Sequence, residues 1–336
     1  MSAIRTETTD RRGGKPFDVV AFLARYGTIL SLVALIVIFS LARPEVFPSV
    51  RNLLNILNQV SILGIIAIGL TVCLVIGQFD LSIGALATFG GYFAARILME
   101  ADVDSGAAVF LVILVVLAMA MVIGIINGAL VSYLGISAIV ETLAMGFIVN
   151  GVILGISGSR TISPTEIPAA FKVVGQGTIL GVPNPVVIMI ATAFVLWLFL
   201  EHTQPGRNMY AIGGNKEASR LSGIPVKRYA LVAMGICAAC AALGGLVAAA
   251  NLAAGRPQGV GETYLLNAFV AVFIGASTLR PGKFHVLGTA IGVLLIGVIN
   301  NGLSTLGVPT YWQYIVQGIL LILALISASM VTLRRG

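Results

Sequence analysis

Apolar runs long enough to cross a lipid bilayer alternate with short polar breaks along almost the whole chain. Measured against a hydrocarbon core of about 30 Å, ten segments are candidates, some of them short or interrupted by glycine. They lie near residues 27 to 42, 56 to 76, 83 to 99, 107 to 132, 138 to 157, 181 to 201, 229 to 252, 263 to 277, 286 to 302 and 312 to 332. The pattern predicts an all-α membrane protein of about ten transmembrane helices. The third and eighth segments are near the lower limit for spanning and are expected to be tilted, broken or partly re-entrant.

Composition agrees: 58% of residues are hydrophobic, 10% are charged, and the mean hydropathy is +1.03. The net charge of +7 does not indicate nucleic acid, because the basic residues form no single face interleaved with aromatics. They follow the membrane instead. Arg5, Arg11, Arg12, Lys15 and Arg25 precede the first span; Arg207, Lys216, Arg220, Lys227 and Arg228 lie between the sixth and seventh; Arg280, Lys283, Arg334 and Arg335 complete the excess. With the N-terminus cytoplasmic, all of these fall on the cytoplasmic side, and an even span count returns the C-terminus there too. The other side keeps Arg43, Arg51, Arg96, Arg160, Lys172 and Arg256. Residues 1–26 are then a cytoplasmic segment and 27–336 one transmembrane domain with a cytoplasmic loop at 202–228. Ser40-Leu41-Ala42 loosely fits a signal-peptide cleavage site, but Arg43-Pro44 is a poor start for a mature chain, which favours an uncleaved first span.

Glycines recur on helix faces (Gly84, Gly90 and Gly91; Gly124 and Gly128; Gly146 and Gly151; Gly288 and Gly292), as expected where helices in lipid pair by close packing. Leu134–Gly146 aligns without gaps to Leu306–Gly318, and each copy follows an Asn-Gly pair, Asn127-Gly128 and Asn301-Gly302. The copies are five spans apart and so opposite in orientation. This predicts an inverted internal repeat, spans 2–5 and 7–10.

Candidate chemistry is sparse. There is no phosphate-binding Gly-x-x-x-x-Gly-Lys-Ser/Thr loop and no His-Glu-x-x-His helix. Serines lack a plausible His and Asp pair, and Cys73, Cys237 and Cys240 lie in apolar runs without metal-ligand spacing. His202 and His285 are expected at cytoplasmic helix ends, near a helix C-terminus or lipid headgroups. No catalytic, cofactor or metal site is therefore assigned. Polar residues in or beside spans are costly in lipid and are candidate pathway or gate positions: Asp80, Ser82, Asn127, Glu141, Asn267 and Asn301. Asp80 alternatively caps the third span. Gln59 and Gln317 join the asparagines as candidate hydrogen-bond partners along a path.

The most informative stretch runs from Tyr210 to Pro225. Asn215 can cap a helix of two turns, Glu217 suits its first turn, Gly223 offers a left-handed stop, and Pro225 blocks continuation. Ala218, Leu221 and Ile224 form an apolar edge while Lys216, Glu217 and Arg220 stay wet. So short a helix needs something to hold it.

That stretch resembles the cytoplasmic coupling loop in membrane subunits of bacterial ATP-driven (ABC) sugar importers of the ribose, xylose and galactose type. Asp80-Leu-Ser-Ile-Gly84, Leu266–Leu279 and Pro281–Gly292 are also similar to family segments, although Gln78-Phe79 departs from the pair expected before Asp80. The resemblance implies an inner-membrane homodimeric permease working with two ATP-binding subunits and a periplasmic sugar-binding protein. It also implies that Gly213, Gly214, Asn215, Lys216, Glu217, Ala218, Ser219, Arg220, Leu221 and Gly223 form the coupling loop. An ion- or proton-coupled carrier fits an inverted repeat equally well.

Overall fold

The computed structural model describes residues 19–101 and 104–333. The described chain is helical apart from one minimal hairpin. Its helices are α1 (Val19–Ala42), α2 (Val50–Val75), α3 (Ile83–Ala101), α4 (Gly106–Leu134), α5 (Ala138–Ser157), α6 (Ala169–Gln176), α7 (Asn184–His202), α8 (Gln204–Gly214), α9 (Lys216–Leu221), α10 (Val226–Leu252), α11 (Gly261–Ala276), α12 (Val286–Thr305) and α13 (Thr310–Leu333). The hairpin strands are β1 (Thr178–Ile179) and β2 (Val182–Pro183). Every predicted span falls on a helix. Among the described residues seven helices, α1, α2, α4, α5, α7, α10 and α12, are long and apolar enough to cross a membrane. Arg5, Arg11, Arg12, Lys15, Arg334 and Arg335, on which part of the charge argument rests, lie outside the described residues.

The bundle is organised around α10, whose sequence is dominated by Ala, Gly and Cys and which packs against α2, α3 and α4. Small side chains let backbones approach where no water is expelled to drive pairing. A Cβ added at Gly90 or Gly124 would run into the α10 backbone, so both glycines serve close approach as expected. On α5 the expectation does not hold within this chain, because a Cβ at Gly151 meets nothing within 4 Å.

The short third and eighth spans, α3 and α11, begin against each other. Gly84 and Gly261 are both buried, and a Cβ at Gly261 would overlap the Gly84 carbonyl. The Thr88 hydroxyl bridges the two starts, donating to the Gly84 carbonyl at 3.3 Å and accepting from the Gly261 amide at 3.1 Å. Sixteen residues of α11 extend about 24 Å, less than a hydrocarbon core, so a helix that starts inside the protein accounts for its length. On the α3 side, segment 76–82 turns back inward. It leaves α2 at Val75, is exposed at Gly77 where φ is +76°, and reaches full burial at Asp80.

Between α5 and α7 the chain forms elements not anticipated from the apolar pattern. Helix α6 anchors through fully buried Phe171, and Asn251 of α10 donates to the Gly175 carbonyl at 3.0 Å. The hairpin turn, Leu180-Gly181, has both residues at positive φ, the arrangement of a two-residue I′ turn. Replacing Gly261 with Val should cost about 1–3 kcal/mol or more, as overpacking does. Thermal unfolding in detergent checks this: a clear loss of stability is expected for Gly261→Val and none for Gly151→Ala.

Candidate functional site

Helix α9 matches the sequence expectation closely. The Asn215 side chain accepts from the Ala218 amide at 2.9 Å. At the far end Gly223 has φ +82°, and the Ile224 amide bonds the Ser219 carbonyl at 3.0 Å, the longer closing bond of a left-handed helix stop. Arg220 pairs with Glu217 on the solvent side, and that hydrogen bond holds the Glu217 carboxyl below the usual carboxylate range. The apolar edge faces differently from a buried stripe: Ala218 and Leu221 are exposed, Leu221 at 76%, whereas Ser219 is buried. Six helical residues give too few inward positions to bury both, so the helix presents an apolar tip flanked by charges.

What holds α9 is α8, a helix the sequence reading treated as loop. Its N-terminus is capped by Thr203, whose hydroxyl accepts from the Gly206 amide at 3.2 Å. Met209 and Ile212 are buried. Gly213 lies on the end of α2, so close that a Cβ would overlap the Val75 carbonyl. The Tyr210 hydroxyl donates to Glu201 of α7 at 2.9 Å, and Asn208 donates to the Tyr229 hydroxyl of α10 at 2.7 Å. A cavity of about 170 Å³ separates α9 from the chain after α2, with Lys216 and Arg220 on one wall and Ile76 and Gln78 on the other.

Two residues beyond Gln78 lies a buried polar junction. Asp80 Oδ1 accepts from the Ser82 amide at 2.9 Å and from the Ser82 hydroxyl at 2.5 Å. Asn127 of α4 donates to the Ser82 hydroxyl at 3.1 Å, and the Leu81 amide donates to Thr142 of α5 at 2.9 Å. Glu141, adjacent to Thr142, is buried as well. The structure thus joins four predicted candidates, Asp80, Ser82, Asn127 and Glu141, to one turn where α3, α4 and α5 meet. Asp80 Oδ2, Asn127 Oδ1 and Glu141 Oε2 have no hydrogen-bond partner. Cys73, Cys237 and Asp80 also place one ligand atom each within 4.8 Å of one another, a convergence their spacing did not reveal. The Cys73 thiol donates to the Ala233 carbonyl at 3.4 Å, and all three groups are fully buried.

The other two candidates stand apart. Asn301 exchanges both amide hydrogen bonds with Asn52, at 3.0 and 3.1 Å, tying α12 to the start of α2. Asn267 bonds its own helix at the Thr263 carbonyl. Gln317 pairs with Asn300 and Gln59 with Asn55, two separate pairs rather than parts of one ring.

The turn between α11 and α12 carries groups that sequence reading missed. Arg280 pairs with Glu201, its Nη1 donating to both carboxylate oxygens at 2.7 and 2.8 Å. His285 is not at a helix C-terminus, nor exposed to headgroups. It is buried and caps the start of α12, with Nδ1 accepting from the Gly288 amide at 2.9 Å and Nε2 3.0 Å from the Thr278 carbonyl. Those partners require the neutral ring with its proton on Nε2. Burial pushes its pKa down, Arg280 acts in the same direction, and Glu201 and the Thr278 carbonyl oppose them.

An all-α membrane bundle with an anchored polar projection and a buried polar junction has the form of a membrane transport component. The chain belongs to the family described as branched-chain amino acid transport system / permease component, whose model matches residues 52–325. It is 36% identical to the ribose import permease protein RbsC of Escherichia coli strain K12, over 95% of this chain and 98% of that protein. It is 35% identical to the D-allose transport system permease protein AlsC of the same strain, over 96% and 95%. The xylose transport system permease protein XylH of Haemophilus influenzae is 31% identical over 89% and 94%. No solved structure matches the chain.

Removing the α9 cap by Asn215→Ala should cost about 1 kcal/mol locally and speed amide exchange at Ala218 without altering the bundle. Hydrogen exchange read by mass spectrometry checks this. For His285 the sign is set by its depressed pKa. The unfolded chain takes up a proton near pH 6.5 that the folded state resists, so stability present at pH 7.5 declines as pH falls below about 6.5. Thermal midpoints at pH 7.5 and 5.5 should differ less in His285→Asn, which can still cap, than in the unmodified protein.

Proposed function

We propose that this chain is the membrane permease of an ATP-driven importer for a monosaccharide. It would work as a homodimer with two ATP-binding subunits and a sugar-binding protein that delivers cargo from outside. The observation that carries the reading is full-length similarity to permease proteins named for ribose, D-allose and xylose, three small neutral sugars. Sparse polar lining fits neutral cargo, since an anionic one would call for buried Lys or Arg.

In this reading residues 202–228 face the cytoplasm, together with both termini, in agreement with the basic residues there. Gly213 to Leu221 and Gly223 form the element that a partner ATPase displaces, with exposed Leu221 and Ala218 seating in its cleft. Motion passes from α8 through Gly213 to the end of α2, and so to the turn holding Asp80 and Ser82. Asp80, Ser82, Asn127 and Glu141 act as a gate beside the pathway, while Asn267 and Asn301 border it farther along. Hydrolysis of ATP belongs to the partner subunit.

The proposal includes ten spans and an inverted repeat, α2–α5 against α10–α13. The aligned passages support it: Gly135 and Gly307, paired in that alignment, end α4 and α12 with φ of +72° and +75°. So does the meeting of α3 and α11 through their starts, which are equivalent positions in the two halves.

Reconstitution in proteoliposomes with cognate ATP-binding subunits and binding protein tests the function. Uptake of labelled ribose, allose or xylose should require ATP and should fall sharply in Leu221→Glu, which puts a charge on the apolar tip. Sugar uptake by this chain alone, driven by an ion gradient, would instead establish a secondary carrier.

A further inference from the structure

Resting on the function proposed above, the geometry points to a second route for the force. We infer that Glu201 is a positioning residue which clamps the α11–α12 turn to α8, so that movement of α9 reaches both halves of the bundle. Glu201 ends α7 with its side chain only 17% exposed. It receives Arg280 from 79 positions away through both carboxylate oxygens, and Tyr210 of α8 donates to one of the same oxygens. One carboxylate thus joins three elements: α7, α8 and the turn.

The turn is built to pass movement on. Leu279 holds a left-handed backbone, φ +60°, which a residue with a Cβ adopts only when its surroundings impose it. Its amide bonds the Arg25 carbonyl of α1 at 2.9 Å, and the Gly282 amide closes on the Ala276 carbonyl at 2.9 Å. From there α11 runs back to the Gly84–Gly261 crossing. On the way, Phe269 and Phe273 stack on Phe79, with centroids 6.1 and 6.4 Å away, and Phe79 precedes Asp80. The two routes therefore converge. One runs Gly213, Val75 and segment 76–82; the other runs Tyr210, Glu201, Arg280, α11 and Phe79. A displacement of α8 that travelled by only one of them would shear Phe79 against α11.

The test measures sugar uptake and ATP hydrolysis together in the complete reconstituted transporter. For Glu201→Ala and Arg280→Ala, uptake per ATP hydrolysed should fall about tenfold, within the usual range of coupling between sites. Tyr210→Phe, which deletes one hydroxyl and leaves packing intact, should lower the ratio in the same direction by less. The double exchange Glu201→Arg with Arg280→Glu should recover most of it, which ties the loss to the ion pair itself. An unchanged ratio in the single variants, or uptake and hydrolysis falling in equal proportion, overturns the inference while leaving the importer reading standing. Absence of ATP-dependent uptake by the unmodified transporter overturns both.

Discussion

A bilayer offers no hydrogen bonds, so a helix that begins inside a membrane protein must find partners for its first amides within the protein itself. Here the first amide of α11 finds its partner on α3. The Thr88 hydroxyl serves a carbonyl of α3 and an amide of α11, and the absence of side chains at Gly84 and Gly261 lets the two backbones touch. Everything nearby follows from this crossing. Because α3 starts inside, the chain after α2 must fold back inward, carrying Asp80 and Ser82 to full burial. Because α11 starts inside, sixteen residues suffice to reach the far end and the turn that holds Arg280.

The inward fold also leaves the last turn of α2 at the end of the bundle, where α8 is seated with Gly213 against the Val75 carbonyl. A two-turn helix would not persist in water unsupported. The α9 helix persists because α8 is fixed to α2, α7 and α10, leaving the charged and apolar outer surface of α9 free for a partner. Rigid attachment behind and an exposed tip in front are what a lever needs.

Much of this was legible in the sequence. The helices of the ten apolar segments, including the short third and eighth, follow from apolar run length, and α9 follows from Asn215, Gly223 and Pro225, whose capping and stopping chemistry is local. What was not legible depends on distant partners. Helix α8 reads as polar loop because its few buried apolar residues, Met209 and Ile212, form no evident stripe and are covered only by the tertiary packing of α8 on α7, α2 and α10. His285 reads as a residue at a helix end facing headgroups, and only the fold shows that it caps the next helix. Arg280 lies 79 positions from Glu201, and nothing in the spacing of Glu201, Tyr210 and Arg280 announces a shared carboxylate. Among the polar candidates, Asp80 and Ser82 share a turn, and Asn127 and Glu141 join them through the packing of α4 and α5. Asn301 instead finds Asn52, also across the fold.

The central claim is that α9 is the face pressed by an ATP-consuming partner. The most direct measurement places one cysteine at position 221 and asks what it touches. In the assembled transporter, a short bifunctional reagent at Leu221→Cys should link this chain to the ATP-binding subunit, with a yield that changes when nucleotide is added. Labelling of that cysteine in intact cells by a membrane-impermeant thiol reagent would put α9 on the outer surface and contradict the account.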